Sequence, residues 1–215
     1  MTHLTALHSP QPADGHADHA HGPVLLFLHG YGSDERDLAG LASYLPALPW
    51  ASVRAPLSHP ASGYAWYPLD QLDVLAPAQE AIGTATAVLW EWVDASLGPA
   101  ATLIPVGFSQ GGCMASQLLR TRPERVAGAA LLSGYVQDAP QAADATLAER
   151  PRPVFWGRGD ADPVIPARAI EDTQAWVDAH AQARVEVYAG LGHSVSEREL
   201  RHLSEWLDAV VHPAP

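Results

Sequence analysis

Apolar runs and amphipathic stretches alternate along this chain. Val24-Leu25-Leu26-Phe27-Leu28 is unbroken by any polar residue, and further candidate strands follow near residues 51 to 54, 102 to 106, 126 to 132, 153 to 156 and 184 to 188, several of them near-continuous apolar runs. Runs of this length without polar alternation fit parallel strands covered on both faces. Helical patterns fall between them, near residues 34 to 45, 77 to 96, 110 to 121, 167 to 181 and 197 to 211. The last carries Leu200, Leu203, Leu207 and Val210 on one stripe and begins with Ser196 and Glu199 at capping-box spacing. Strand-helix alternation of this kind predicts an α/β architecture, an open and mainly parallel twisted sheet with helices on both faces. No repeat or interdomain linker interrupts it, so one domain over residues 23 to 215 is expected.

Three stretches stand outside the rhythm. Residues 1 to 22 mix five histidines with Pro, Asp, Ala and Gly and read as a flexible leader, with residues 4 to 7 able to pair as a short edge strand. A metal site built from Asp14, His16, Asp18, His19 and His21 would have to overcome the ordering cost of that segment, and none is expected. Residues 56 to 77 hold Tyr64, Trp66, Tyr67, Leu69, Leu72 and Leu75, too irregular for a helix and too apolar for a bare linker. They are expected to line a pocket, with Trp66, Tyr67 and Leu69 as its substrate contacts. Residues 134 to 151 are short for a helical lid, so the site is expected to be open and without a large lid domain.

Within this frame, Gly107-Phe108-Ser109-Gln110-Gly111 directly follows an apolar strand and leads into a helix. A serine on such a sharp turn is held in a strained backbone conformation, and glycines on either side remove Cβ atoms that would collide there. The following helix aims its N-terminal amides at the same point. Ser109 is therefore the candidate nucleophile. Its partners should follow it in the order acid, then histidine. Two acids compete after the strand near 153 to 156, Asp160 and Asp162. Asp162 is favoured because Pro163 restricts its backbone and Val164-Ile165 can anchor the loop. His193, on the Gly-rich loop after the last strand, is the candidate base. His29 precedes Ser109 and is expected instead to shape a loop. The amide of Tyr31 in that loop, with the amide of Gln110, would form an oxyanion hole. Because those donors are backbone groups, side-chain changes at Tyr31 or Gln110 are expected to hurt less than changes at Ser109.

These segments resemble a known group. The run from Leu28 to Leu38, Arg54-Ala55-Pro56, Ala65-Trp66-Tyr67, Gly107 to Gly112, Gly159 to Pro166 and Gly192-His193-Ser194 are similar to the phospholipase/carboxylesterase family of α/β-hydrolases, the branch that includes the acyl-protein thioesterases. The resemblance spans residues 23 to 211. It implies an α/β-hydrolase fold, places Ser109, Asp162 and His193 on the family triad, and puts Tyr31 and Gln110 on its oxyanion amides. Members commonly carry another apolar residue at the position of Tyr31, which bears on the shape of the acyl pocket.

Composition narrows the partners. The 215 residues are 47% hydrophobic and 17% charged, enough for one well-filled core. A net charge of −12, with its acids scattered, argues against nucleic acid. All twelve basic residues are arginine, which removes Schiff-base and phosphate-loop lysine chemistry. Cys113, the single cysteine, reads as a small buried apolar residue. No signal-peptide-like start or membrane-length run appears, so a cytoplasmic location without membrane insertion is expected. The expected activity is hydrolysis of short- to medium-chain carboxylic esters through an acyl-enzyme, without a cofactor and on a small-molecule substrate. A thioesterase or lysophospholipase-type activity and a non-catalytic ligand-binding module are the alternatives; a homodimer is compatible with the chain.

Overall fold

A computed structural model describes residues 4–10, 22–59, 61–69 and 79–213. Strands β1 (Ala6–His8), β2 (Val24–Leu28), β3 (Trp50–Val53), β6 (Leu103–Phe108), β7 (Ala129–Leu132), β8 (Arg152–Gly159) and β9 (Ala181–Tyr188) form one sheet in the order β1-β3-β2-β6-β7-β8-β9. Every pairing is parallel except that of β1, which runs antiparallel along β3 at the edge. A small antiparallel hairpin, β4 (Leu57–Ser58) with β5 (Tyr64–Ala65), stands apart from the sheet. The helices are α1 (Gln79–Ser96), α2 (Gln110–Thr121), α3 (Asp144–Glu149), α4 (Ala167–His180) and α5 (Glu197–Val211).

All five residues of β2 are buried, as its unbroken apolar run predicts, because side chains that alternate in direction meet protein on both sides. Val24, Leu26 and Leu28 join the larger core, packed by α1, α2 and α4; Leu25 and Phe27 join the smaller one, packed by α5 and residues 38 to 45. Helix α5 presents Leu203, Trp206 and Leu207 to that second core, each side chain contributing about 1.5–3 kcal/mol through burial. One half of the predicted capping box caps its start: the Ser196 hydroxyl accepts the amide of Glu199 at 3.2 Å.

Several boundaries differ from the sequence pattern. A helix is expected near residues 34 to 45, but only a 3₁₀ segment, Ala39–Tyr44, forms there. Strand β7 begins later than the apolar run near 126, because a 3₁₀ turn, Pro123–Arg125, precedes it. Strands β8 and β9 are both longer than their apolar centres, since eight parallel pairs join them end to end. The two-residue strands of the hairpin and the short α3 carried no periodicity from which to infer them. Residues 11 to 21, including Asp14, His16, Asp18, His19 and His21, lie outside the described residues, as do Leu72 and Leu75. Among the described residues no helix is long and apolar enough to cross a membrane.

Candidate active site

Ser109 lies between the end of β6 and the first residue of α2, with φ 55° and ψ −117°. A side chain at positive φ is strained, and such strain persists only where the surroundings impose it. Here the Ser109 amide donates to Leu132 O at 2.9 Å, while its carbonyl accepts from Gly112 N at 2.9 Å. A Cβ on Gly107 would run into the backbone of Gly111, and one on Gly111 into the carbonyl of Leu28. The elbow can exist only with glycine at both places.

His193 follows β9, and its Nδ1 lies 2.7 Å from Asp162 Oδ2. The other oxygen of Asp162 accepts the amides of Val164 at 2.8 Å and Ile165 at 3.2 Å. That carboxylate side chain is 3% exposed and fully partnered, so its direction is set by the loop that Pro163 shapes. Asp160 goes elsewhere: its Oδ1 accepts the amide of Gly190 at 2.6 Å. The imidazole of His193 packs on Phe108, ring centroids 4.8 Å apart, and Phe108 immediately precedes Ser109. Three distant stretches of chain thus meet at the C-terminal rim of the sheet. Among the hydrogen bonds of the described residues there is none between the Ser109 hydroxyl and His193; such contacts commonly tighten only with substrate bound.

The loop after β2 faces this elbow. His29 is fully buried, its Nδ1 2.7 Å from Gly30 O and its Nε2 accepting the amide of Ala55 at 3.0 Å. Those two bonds fix the neutral tautomer with the proton on Nδ1, and burial holds its pKa below the usual histidine value. It is a structural support for the loop, as its place in the chain predicts. The amides of Tyr31 and Gln110 have no hydrogen-bond acceptor among the described residues. Tyr31 packs its ring edge-on to His59 at 4.8 Å.

The aromatic pair after the hairpin lines a cavity, as expected of this segment, but is itself almost wholly buried. Trp66 is 1% exposed and Tyr67 is 0% exposed. Both are walls of an apolar cavity of about 560 Å³, shared with Pro56, Leu57, Pro68 and one side of α1, and neither Ser109 nor His193 borders it. Leu69 is partly buried against the larger core and is not part of that lining. Behind the elbow, Tyr67 Oη and Tyr135 Oη are 2.7 Å apart, next to Cys113, whose thiol burial pushes up to about 11. Cys113 is thus the inert buried residue predicted for it.

Two buried groups escaped the sequence reading. The side chain of Gln110 is engaged at both ends, Oε1 accepting from Trp66 N at 2.9 Å and Nε2 donating to Tyr67 O at 2.8 Å. Glu199 is 0% exposed, its carboxylate oxygens lack partners among the described residues, and burial raises its pKa to about 7. A glutamate at the third position of a helix usually signals an exposed cap, so pattern alone gave no hint of its burial.

The family model described as Phospholipase/Carboxylesterase matches residues 15–211. An acyl-protein thioesterase 1 from Cryptococcus neoformans is 26% identical over 87% of this chain and 92% of its own. A probable carboxylesterase from Oryza sativa is 26% identical over 85% of this chain and 76% of its own. The crystal structure of esterase PE8 superposes with a TM-score of 0.74 at 30% identity, covering 97% of this chain and 99% of that one. A Bacillus cereus carboxylesterase, 23% identical, shares the fold with a TM-score of 0.79 over 96% of this chain and 94% of its own.

Proposed function

The chain belongs to the phospholipase/carboxylesterase family of ester hydrolases with the α/β-hydrolase fold, and on that premise we propose that it is a serine carboxylesterase acting on short- to medium-chain esters through an acyl-enzyme. The observation that carries the reading is the 2.7 Å contact of Asp162 with His193, whose ring lies against the residue preceding the strained Ser109. Ser109 Oγ attacks the ester carbonyl carbon as its proton passes to His193 Nε2. The oxygen that becomes negative is met by the amides of Tyr31 and Gln110. Collapse breaks the bond to the alcohol, which leaves with the proton from His193. Water then attacks the acyl-enzyme, its proton passes to His193 and on to Ser109 Oγ, and the carboxylic acid departs. Asp162 holds the imidazole with its proton on Nδ1 and stabilises the imidazolium formed in each half. No cofactor enters this sequence.

Among the described residues, the connections beside the site are the small hairpin and short loops, which supports the short-chain preference. Thioesters are the nearest variant, since the Cryptococcus relative carries a thioesterase name. A series of p-nitrophenyl esters from acetate to decanoate, paired with the corresponding thioesters and run beside Ser109→Ala, tests the proposal. Turnover that peaks at short acyl chains and vanishes in Ser109→Ala is the expected result. Turnover that survives in Ser109→Ala, or that appears only with long-chain thioesters, contradicts it.

A further inference from the structure

We propose that Trp66 is a positioning residue that ties the two oxyanion loops to one another, so that hydrogen bonds from this one residue set the spacing of the Tyr31 and Gln110 amides. The inference rests on the reading of Ser109 as nucleophile given above.

An oxyanion hole built from two backbone amides has a structural problem. One amide belongs to the loop after β2 and the other to the start of α2, more than seventy residues apart in sequence. Small errors in their spacing weaken both hydrogen bonds to the transition state, because such bonds depend steeply on geometry. Backbone amides also have no side chain of their own through which to be adjusted. Pairing of β2 with β6 sets the two loops side by side, and hydrogen bonds outside the strands fix the remaining spacing.

The segment that directly follows the hairpin does this, with Trp66 as its joint. On one side, the backbone amide of Trp66 donates to Oε1 of Gln110 at 2.9 Å, and Nε2 of Gln110 donates to Tyr67 O at 2.8 Å. Both polar ends of the residue whose own amide faces the oxyanion are thus fastened to the 66–67 backbone. On the other side, the Trp66 indole N–H donates to His29 O at 2.9 Å, two residues before Tyr31. The same loop is stitched to the hairpin again through Gly32 N to Tyr64 O at 2.8 Å and Tyr64 N to Ser33 O at 2.7 Å. His29 in turn is braced by Ala55 N and Gly30 O. Trp66, Gln110 and His29 are all at most 1% exposed, so water cannot replace the bonds that a substitution removes.

The alternative role for Trp66 is as a wall of the apolar cavity, which it also borders. The two roles differ in what they change. A wall acts on binding of the acyl chain, so its loss raises KM and the effect grows with chain length. A clamp acts on the transition state, so its loss lowers kcat by the same factor for every acyl length.

The test is Trp66→Phe, which keeps an aromatic ring and removes the indole donor, with Gln110→Leu as a second variant that cuts the other arm. Active sites are titrated with a fluorophosphonate, and kcat per labelled site is measured for p-nitrophenyl acetate and butyrate. The inhibition constant of a trifluoromethyl ketone, whose adduct with a serine places an oxyanion in the hole, is measured alongside. The clamp predicts about a tenfold fall in kcat per site for both esters, KM within twofold, and a matching rise in the ketone inhibition constant. If one variant does not fold, the other decides by the same criteria. Unchanged kcat per labelled site, or a loss confined to KM and increasing from acetate to butyrate, overturns the clamp. Wild-type protein that takes no label, or Ser109→Ala that still turns over, overturns the parent reading instead.

Discussion

Nδ1 of His193 stands 2.7 Å from Oδ2 of Asp162, while Asp160, two residues earlier, accepts the amide of Gly190. This division of labour separates two acids that the chain offers side by side. Asp162→Asn keeps the loop's shape but favours the wrong imidazole tautomer, and is expected to lower kcat by about 10³–10⁴-fold. Asp160→Asn is expected to stay within a few-fold of wild type. Steady-state kinetics on one ester measures both, and equal losses in the two variants contradict the assignment.

The elbow gives a stability prediction with an internal control. A Cβ at Gly111 meets the carbonyl of Leu28, whereas one at Gly83, inside α1, meets nothing within 4 Å. Gly111→Ala is therefore expected to cost about 3 kcal/mol or to prevent folding. Gly83→Ala is expected to stabilise the protein by about 1 kcal/mol, since alanine is the better helix former. Urea denaturation of the two variants checks the pair.

The glycine-framed elbow at Ser109, the two following loops and the parallel sheet were legible because each depends on a local pattern: an apolar run, a glycine-framed serine, a Pro-restricted acid, a Gly-rich histidine loop. What escaped is long-range. The hydrogen bonds of Gln110 reach residues 44 and 43 positions away, and nothing near Gln110 in sequence marks them. The hairpin strands are two residues each, too short for any period. Trp66 and Tyr67 line a cavity, as an irregular apolar segment suggests; their near-complete burial follows from bonds that the pattern does not show. The helix expected at 34 to 45 became a 3₁₀ turn although its leucines fell at helical spacing, an instance of tertiary context overriding period.

Glu199 makes stability depend on pH in an unusual direction. Its carboxyl is held near 7 when folded, above the 4.5 of an exposed glutamate, so the folded state binds the extra proton between those values. The stabilising protonated form is complete below about 4.5 and is lost as pH rises through 7, a cost on the order of 3 kcal/mol above that range. Thermal melting of wild type should accordingly fall between pH 5 and 8, and Glu199→Gln should flatten that fall. Parallel profiles for the two proteins contradict the prediction.

His29 acts with the opposite sign. Burial depresses its pKa below 6.5, so neutral His29 contributes stability above that pH which is lost as pH falls through the folded value. Protonation would also remove the acceptor for the amide of Ala55. With the Glu199 contribution removed by Glu199→Gln, melting temperature is expected to decline on acidification from pH 7 to 5. A flat profile in that background contradicts it.

The most direct test of the central claim is to react folded protein with a fluorophosphonate and locate the adduct by peptide mass spectrometry. The account predicts a single adduct on Ser109, formed rapidly in wild type and slowed at least a hundredfold in His193→Ala. Labelling at another residue, or none in protein that hydrolyses esters, contradicts it.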